Sequence, residues 1–304
     1  MKTDLFTELI TDRHSWEKCI KSGLAFIHLI HYIYKKNNIK LGEISSTPET
    51  SNAVFRIGDT IIKIFYPSEI RLTDAGEYTT ELKAMEFCKN AGVYTPNVIC
   101  TGTVYDKLYS FPYIVMTYIN GIESDKAISG YNHSEKVEYA LKLKEISDKI
   151  HVPTSIDIPR YDDPNKIDHA LWKNMPESFR EDRMLYISNT EFPEPVFVHG
   201  DFGGRNIIID KKNRLHLLDF AESLIAPVQF FDLPIQGRDP IILKTYFGEY
   251  ENDEFYHRVT LSYLLNWFGA VGIEWLAKEM GIDFNSIISV NLLKKLIIKS
   301  FNHK

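Results

Sequence analysis

The apolar positions change texture along the chain, and each change predicts a different element. From residue 4 to 36, Trp16, Ile20, Leu24, Ile27 and His31 recur three or four apart, which is the spacing of one helix face. Lys35-Lys36-Asn37-Asn38 closes that stretch. Two β-rich runs follow, Ala53–Ile57 and Thr60–Phe65, joined by Gly58-Asp59 as a hairpin. Asp74–Asn90 reads as a helix closed by Ala91-Gly92, and Thr95-Pro96 opens an extended stretch. Val98–Tyr105 and Tyr113–Tyr118 read as two further strands. At Asn120-Gly121 the strand pattern stops, and a hinge is expected there. Beyond it a helix capped near Ser134 runs to about His151, and the proline-containing Val152–Pro164 is a loop. Glu177–Tyr186 is a helix, Val196–Val198 a short strand, and Asn206–Asp210 with Leu215–Leu218 a small hairpin around Lys211–Arg214. From about Asp239 the pattern is helical again. The expected class is therefore α+β. A small antiparallel sheet lobe with a helical N-terminal extension spans residues 1–119, and a mainly helical lobe spans 120–304.

Composition narrows the partners. A chain of 304 residues is long enough for two cores, and 44% hydrophobic with 25% charged residues is the balance of a globular protein. The net charge of −6 argues against nucleic acid as a partner. All of that excess lies in residues 121–304, so the C-terminal part either favours a cationic ligand or carries ordinary solubility charge. Cys19, Cys88 and Cys100 form no C-x-x-C and are odd in number, so they read as buried free thiols of a reducing, cytoplasmic compartment. No signal peptide is evident, and the apolar stretches Leu24–Tyr34 and Leu261–Ala277 are broken by polar residues, so no membrane partner is expected. His28 and His31 stand at i, i+3 but lack a third ligand nearby, and read as packed helix histidines.

The chemistry is concentrated in His199-Gly-Asp201-Phe-Gly-Gly-Arg-Asn206, followed by Leu217-Leu-Asp219-Phe220-Ala221. Phosphoryl transfer asks little covalent work of a protein and much positioning and charge neutralisation. One carboxylate must meet the attacking hydroxyl, an oxygen ligand five residues later can curl back toward a metal, and a second carboxylate at the end of the next strand can chelate Mg²⁺ against phosphates. Asp201, Asn206 and Asp219 fit those three roles, with His199 as an orienting residue. Upstream, Lys63 sits inside the apolar run Ile61–Phe65, where a lysine needs a partner for its ammonium, and nucleotide phosphates are one. Glu77 and Glu81 share one face of the following helix, so either could pair with Lys63.

The segments Val198–Asp210 and Leu217–Glu222 resemble the aminoglycoside phosphotransferase and choline kinase group, small-molecule kinases with a two-lobed protein-kinase-like fold. The likeness extends from about Ser51 to Leu233, with its specific motifs in 198–222. It implies ATP or GTP and Mg²⁺ as cofactors, with the nucleotide between the lobes. By that likeness Ser51-Asn52 is the nucleotide loop, Lys63 the phosphate lysine, and Glu81 rather than Glu77 its partner. Met116–Ile119, including Tyr118, is the strand whose backbone meets the base. Asp201 is the catalytic aspartate, Asn206 and Asp219 the metal ligands, and Asp232 a structural residue. Two departures stand out: there is no G-x-G-x-x-G loop, and Ala221 follows Asp219-Phe220 where protein kinases have glycine.

A protein substrate is disfavoured. Protein Ser/Thr kinases carry a lysine two residues after the catalytic aspartate, where this chain has Gly203. Seven residues separate Asp219 from Pro227, and no A-P-E follows, so the segment that shapes a peptide platform is missing. The expectation is a phosphotransferase for a small-molecule hydroxyl. Asp157, Asp162, Asp163, Asp168 and the run Glu249–Glu254 would suit an aminoglycoside-like polycation, and His-Gly-Asp-Phe-Gly with Glu222 is similar to hygromycin-type kinases. A nucleotide-binding regulatory pseudokinase, and a kinase for an amino alcohol, sugar or nucleoside, are the alternatives. The oligomeric state stays open.

Overall fold

A computed structural model describes residues 4–46, 51–67, 69–70, 77–162, 170–227, 239–266 and 269–302. The chain divides into two compact units, residues 1–82 with 95–120 and residues 83–94 with 121–304.

In the first unit the N-terminal stretch is two helices, not one. Asp12 caps α1 (Arg13–Ser22) through a reciprocal capping box with Ser15, and Gly23, at φ 66°, ends it in the left-handed region that favours glycine. After a single 3-10 turn, α2 (Ile27–Lys36) begins. Its buried stripe is Leu29, Ile30, Ile33 and Tyr34; His28 and His31 are exposed instead of packed, because they lie off that stripe.

Five antiparallel strands form the sheet, in the order β1-β2-β3-β5-β4. They are β1 (Ile44–Ser46), β2 (Ala53–Ile57), β3 (Thr60–Ile64), β4 (Val98–Tyr105) and β5 (Ser110–Thr117). The hydrophobic pattern did not reveal β1, because a three-residue edge strand with two serines shows no periodicity. Phe6, Trp16, Phe26, Leu29 and Ile33 pack with Phe55, Ile62, Ile64 and Phe111 in one core, so the helical extension covers one face of the sheet. Alternation along β3 sends Lys63 to the opposite face from Ile62 and Ile64. That is the face that meets Glu81, in the first turns of α3 (Glu77–Asn90).

Among the described residues the second unit holds a three-stranded and a two-stranded antiparallel sheet and a helical core. β6 (Gly121–Glu123) pairs with β8 (Ile207–Asp210), which pairs with β9 (Leu215–Leu217). β7 (Pro195–Val198) pairs with β10 (Leu224–Pro227), Val198 opposite Leu224. Among the described residues the α-helices are α4 (Ser124–Ile128), α5 (His133–Ile150), α6 (Glu177–Ser188), α7 (Pro240–Phe247), α8 (Asp253–Leu265), α9 (Gly269–Glu279) and α10 (Val290–Asn302). Trp172, Phe179, Phe255, Val259, Ile273, Leu293 and Ile297 are the heart of their core. Among the described residues no helix is long and apolar enough to cross a membrane. Cys19 and Cys88 are buried, Cys100 is half-buried, and all three are free thiols.

Candidate active site

The nucleotide half of the expected site lies in the first unit. Lys63 Nζ is 2.5 Å from Glu81 Oε2, and both residues are buried, 5% and 2% exposed. The choice the sequence left between Glu77 and Glu81 is thereby decided by geometry. Glu81 takes the lysine, while Glu77, one turn earlier, accepts a hydrogen bond from Asn52 Nδ2 at 3.0 Å. Asn52 is itself buried, and its Oδ1 accepts the Tyr66 N–H. Its side chain is thus a bracket inside the unit, and Ser51 is the exposed member of the loop. Met116 is buried on β5, opposite Ile61. The N–H groups of Thr117 and Tyr118 donate to Asn97 O and Asp59 O, and the Arg56 guanidinium lies 3.7 Å over the Tyr118 ring.

The transfer half lies in the second unit, on the loop between β7 and β8 and at the end of β9. Register explains why residues 206 and 219 meet. Ile207 pairs with Leu217, so Asn206 falls opposite Leu218, whose N–H donates to Asn206 O at 2.8 Å. Asp219 is the next residue, at the open end of the same hairpin, in the left-handed region at φ 56°. A non-glycine residue there carries backbone strain, and such strain gathers at functional positions. Asn206 Nδ2 donates to Asp201 Oδ2 at 2.7 Å and to Asp201 O at 3.0 Å. The amide nitrogen therefore faces Asp201, and Asn206 Oδ1 is the acceptor end of the same group. Asp201 is exposed, and among the described residues its Oδ1 accepts no hydrogen bond.

The loop is held by backbone contacts that no side-chain pattern displays. Gly200 has φ 84°, and a Cβ there would stand 2.1 Å from Glu222 O. At Gly204 a Cβ would meet Asp125 Cβ at 2.6 Å. His199 is fully buried and is not placed for proton transfer. Its Nδ1 accepts the Asp201 N–H at 3.3 Å, so Nε2 carries the hydrogen and donates to Leu218 O at 2.9 Å. One imidazole thereby ties the first motif to the second.

Asn206 Oδ1 and the Asp219 carboxylate are hard oxygens of the kind that would suit Mg²⁺, which binds through one or two carboxylates plus substrate phosphates. Among the described residues, this site included, no group of three or more His, Cys, Asp or Glu could hold a metal ion.

Structural comparison identifies the fold. No protein-family model matches the chain, and no curated protein matches it by sequence. Solved structures do. ADP-bound aminoglycoside phosphotransferase APH(2'')-Ib superposes with a TM-score of 0.57 at 16% identity, over 91% of this chain and 97% of that one. The fold is that of the aminoglycoside phosphotransferases. APH(2'')-IIa with streptomycin and ATP gives 0.55 at 15% identity, over 84% and 92% of the two chains. A thermostable APH(4)-Ia bound to ADP and hygromycin B gives 0.57 at 12%, over 90% and 98%.

Within this phosphotransferase fold, Asp232, Asp163 and Asp168 lie outside the described residues. Sequence reasoning missed the clasp that closes the β8–β9 hairpin. Asp210 Oδ1 accepts the N–H groups of Lys212 and Arg214, and its Oδ2 accepts from Arg214 and His216. Burial alone would raise the Asp210 carboxyl, but hydrogen bonds from Arg214, His216 and Lys212 outweigh it and hold the carboxyl well below the usual carboxylate range. The only signal was an aspartate four residues before an arginine across a tight turn.

Proposed function

We propose that the chain is an ATP- and Mg²⁺-dependent phosphotransferase acting on a hydroxyl of a small molecule. The observation that supports this best is the trio at the hairpin's open end. Asn206 fixes Asp201 Oδ2 from one side, and register sets Asp219 beside Asn206. Asp201 Oδ1 receives the proton of the acceptor hydroxyl as its oxygen bonds to the γ-phosphorus, and the bond to the β-phosphate oxygen breaks to release ADP. Lys63, held by Glu81, binds the α- and β-phosphates. Mg²⁺ bound by Asn206 and Asp219 would neutralise phosphate charge. The protein's own share is positional, which is what a loose phosphoryl-transfer transition state requires.

The favoured acceptor is an aminoglycoside-like polycation. Structural neighbours hold streptomycin or hygromycin B, and this chain's acidic excess lies in residues 121–304. Part of that acidity is already matched, Asp157 by Lys83, Asp162 by Arg160, Asp253 by Lys294 and Glu254 by Arg258. The test is ATP- and Mg²⁺-dependent ADP release against aminoglycosides, amino alcohols, sugars and nucleosides. Asp201→Asn should lower turnover on the accepted substrate by at least ~10²-fold, the scale of a general base, with ATP affinity retained. Near-normal turnover in that variant refutes the assignment. A preference for an uncharged acceptor refutes the polycation reading alone.

A further inference from the structure

The loop at Ser51-Asn52 has no glycine-rich sequence to wrap phosphates, so its shape must be imposed from outside. The imposing contact comes from the N-terminal extension. Trp16, on α1, is 1% exposed, and its Nε1–H donates to Ser51 O at 2.9 Å. Tyr66 meets the indole edge-on at 5.0 Å and Phe26 at 5.4 Å, so the ring has no room to turn. Asn52, the next residue, is fastened separately to Tyr66 N and Glu77. Glu77 and Glu81 lie one turn apart on α3, so a single helix anchors both this loop and Lys63.

We propose that Trp16 is a positioning residue for the nucleotide: its hydrogen bond to Ser51 fixes the loop peptide that faces the phosphates. The reason is peptide geometry. In a planar trans peptide the C=O and the following N–H point in opposite directions. The Ser51–Asn52 bond is trans, so turning the Ser51 carbonyl toward α1 turns the Asn52 N–H away from it. A mobile Ser51 carbonyl would let that dipole rotate, and the nucleotide would have to restore the order on binding. The inference rests on the kinase reading above.

Trp16→Phe keeps an aromatic ring in the pocket and removes the donor together with part of the indole's volume, a packing loss for which a second core variant serves as control. The Kd for ATP·Mg²⁺, measured by calorimetry, should rise about fivefold, the equivalent of one hydrogen bond worth ~1 kcal/mol. At saturating ATP, kcat should stay within about twofold and the acceptor KM should not move, since the interaction serves nucleotide binding alone. Phe6→Leu is the control. Phe6 lies in the same core against Phe26, Tyr109 and Phe111, and has no ring contact with Trp16. It should lower the melting temperature and leave the Kd unchanged. An unchanged Kd in folded Trp16→Phe, or an equal rise in Phe6→Leu, overturns the proposal. If Trp16→Phe does not fold, Asp12→Ala takes its place. Asp12 is exposed, and its loss uncaps α1 one turn before Trp16, so the Kd should rise about twofold or more. No rise there overturns the proposal in that case. Wild-type protein that binds no ATP overturns the kinase reading itself, a separate outcome.

Discussion

Removing Glu81 should do more harm than removing Glu81 and Lys63 together. The two charges sit 2.5 Å apart, with side chains 7% and 2% exposed. At an effective dielectric near 20, that separation gives a gross attraction of about 7 kcal/mol. Taking both ions out of water costs several kcal/mol for each, so the intact pair adds little net stability. Glu81→Ala removes the attraction but leaves the ammonium buried, and should destabilise the protein by about 3–5 kcal/mol. Lys63→Met with Glu81→Leu fills both places with apolar groups of similar volume and should recover most of that loss. Urea unfolding of wild type, Lys63→Met, Glu81→Leu and the Lys63→Met/Glu81→Leu double variant closes the cycle, with Glu81→Ala measured beside them and a constant m-value confirming that only stability has changed. Nucleotide binding should follow a different order. The double variant, although stable, has no cation for the phosphates and should bind ATP no better than Glu81→Ala. Glu81→Ala within about 1 kcal/mol of wild type, or a double variant as unstable as the single, would refute the account of a buried pair kept for its ligand.

Two further expectations concern the hairpin. Asp219→Gly and Asp219→Ala should both lose Mg²⁺-dependent nucleotide binding, but the glycine variant should be more stable by about 1 kcal/mol, because only glycine adopts positive φ without cost. Equal stabilities would show that the strain is absent. Asp210→Asn should lower stability by about 2 kcal/mol at pH 7, the scale of hydrogen bonds to a charged group. Since the folded carboxyl titrates below its unfolded value, its contribution is complete above about pH 4 and fades as the pH falls further. The gap between variant and wild type in thermal melts should therefore narrow steadily as the pH falls below about 4; a gap that does not narrow there would contradict the assignment.

The proximity of Asn206 and Asp219 was legible because a hairpin converts sequence order into position. Once Asn206–Asp210 and Leu215–Leu218 are read as paired strands, residues 206 and 219 are bound to share an end. Lys63 was legible for a similar reason, as a charge where alternation requires burial. What the pattern could not show was anything decided by one backbone contact. The break at Gly23 is a left-handed residue inside an otherwise continuous apolar stripe. The strand β10 is four residues long and is defined only by its partner β7. The bond from Trp16 to Ser51 joins residues 35 positions apart, through a carbonyl that every residue possesses. Glu81 was separated from Glu77 only by the structure, since both occupy one helical face.

The Asp210 clasp has a bearing on how such chains diverge. The two expected metal ligands stand at the open end of the β8–β9 hairpin, and the clasp closes the other end, so the linear distance from Asn206 to Asp219 is set by the length of a loop remote from them. Residues gained or lost at that turn would change the count between the ligands and leave their neighbourhood intact. A single residue added within β8 would do the reverse, sending every following side chain to the wrong face. Descent in this fold is therefore better traced through strand register than through a fixed interval between motif letters.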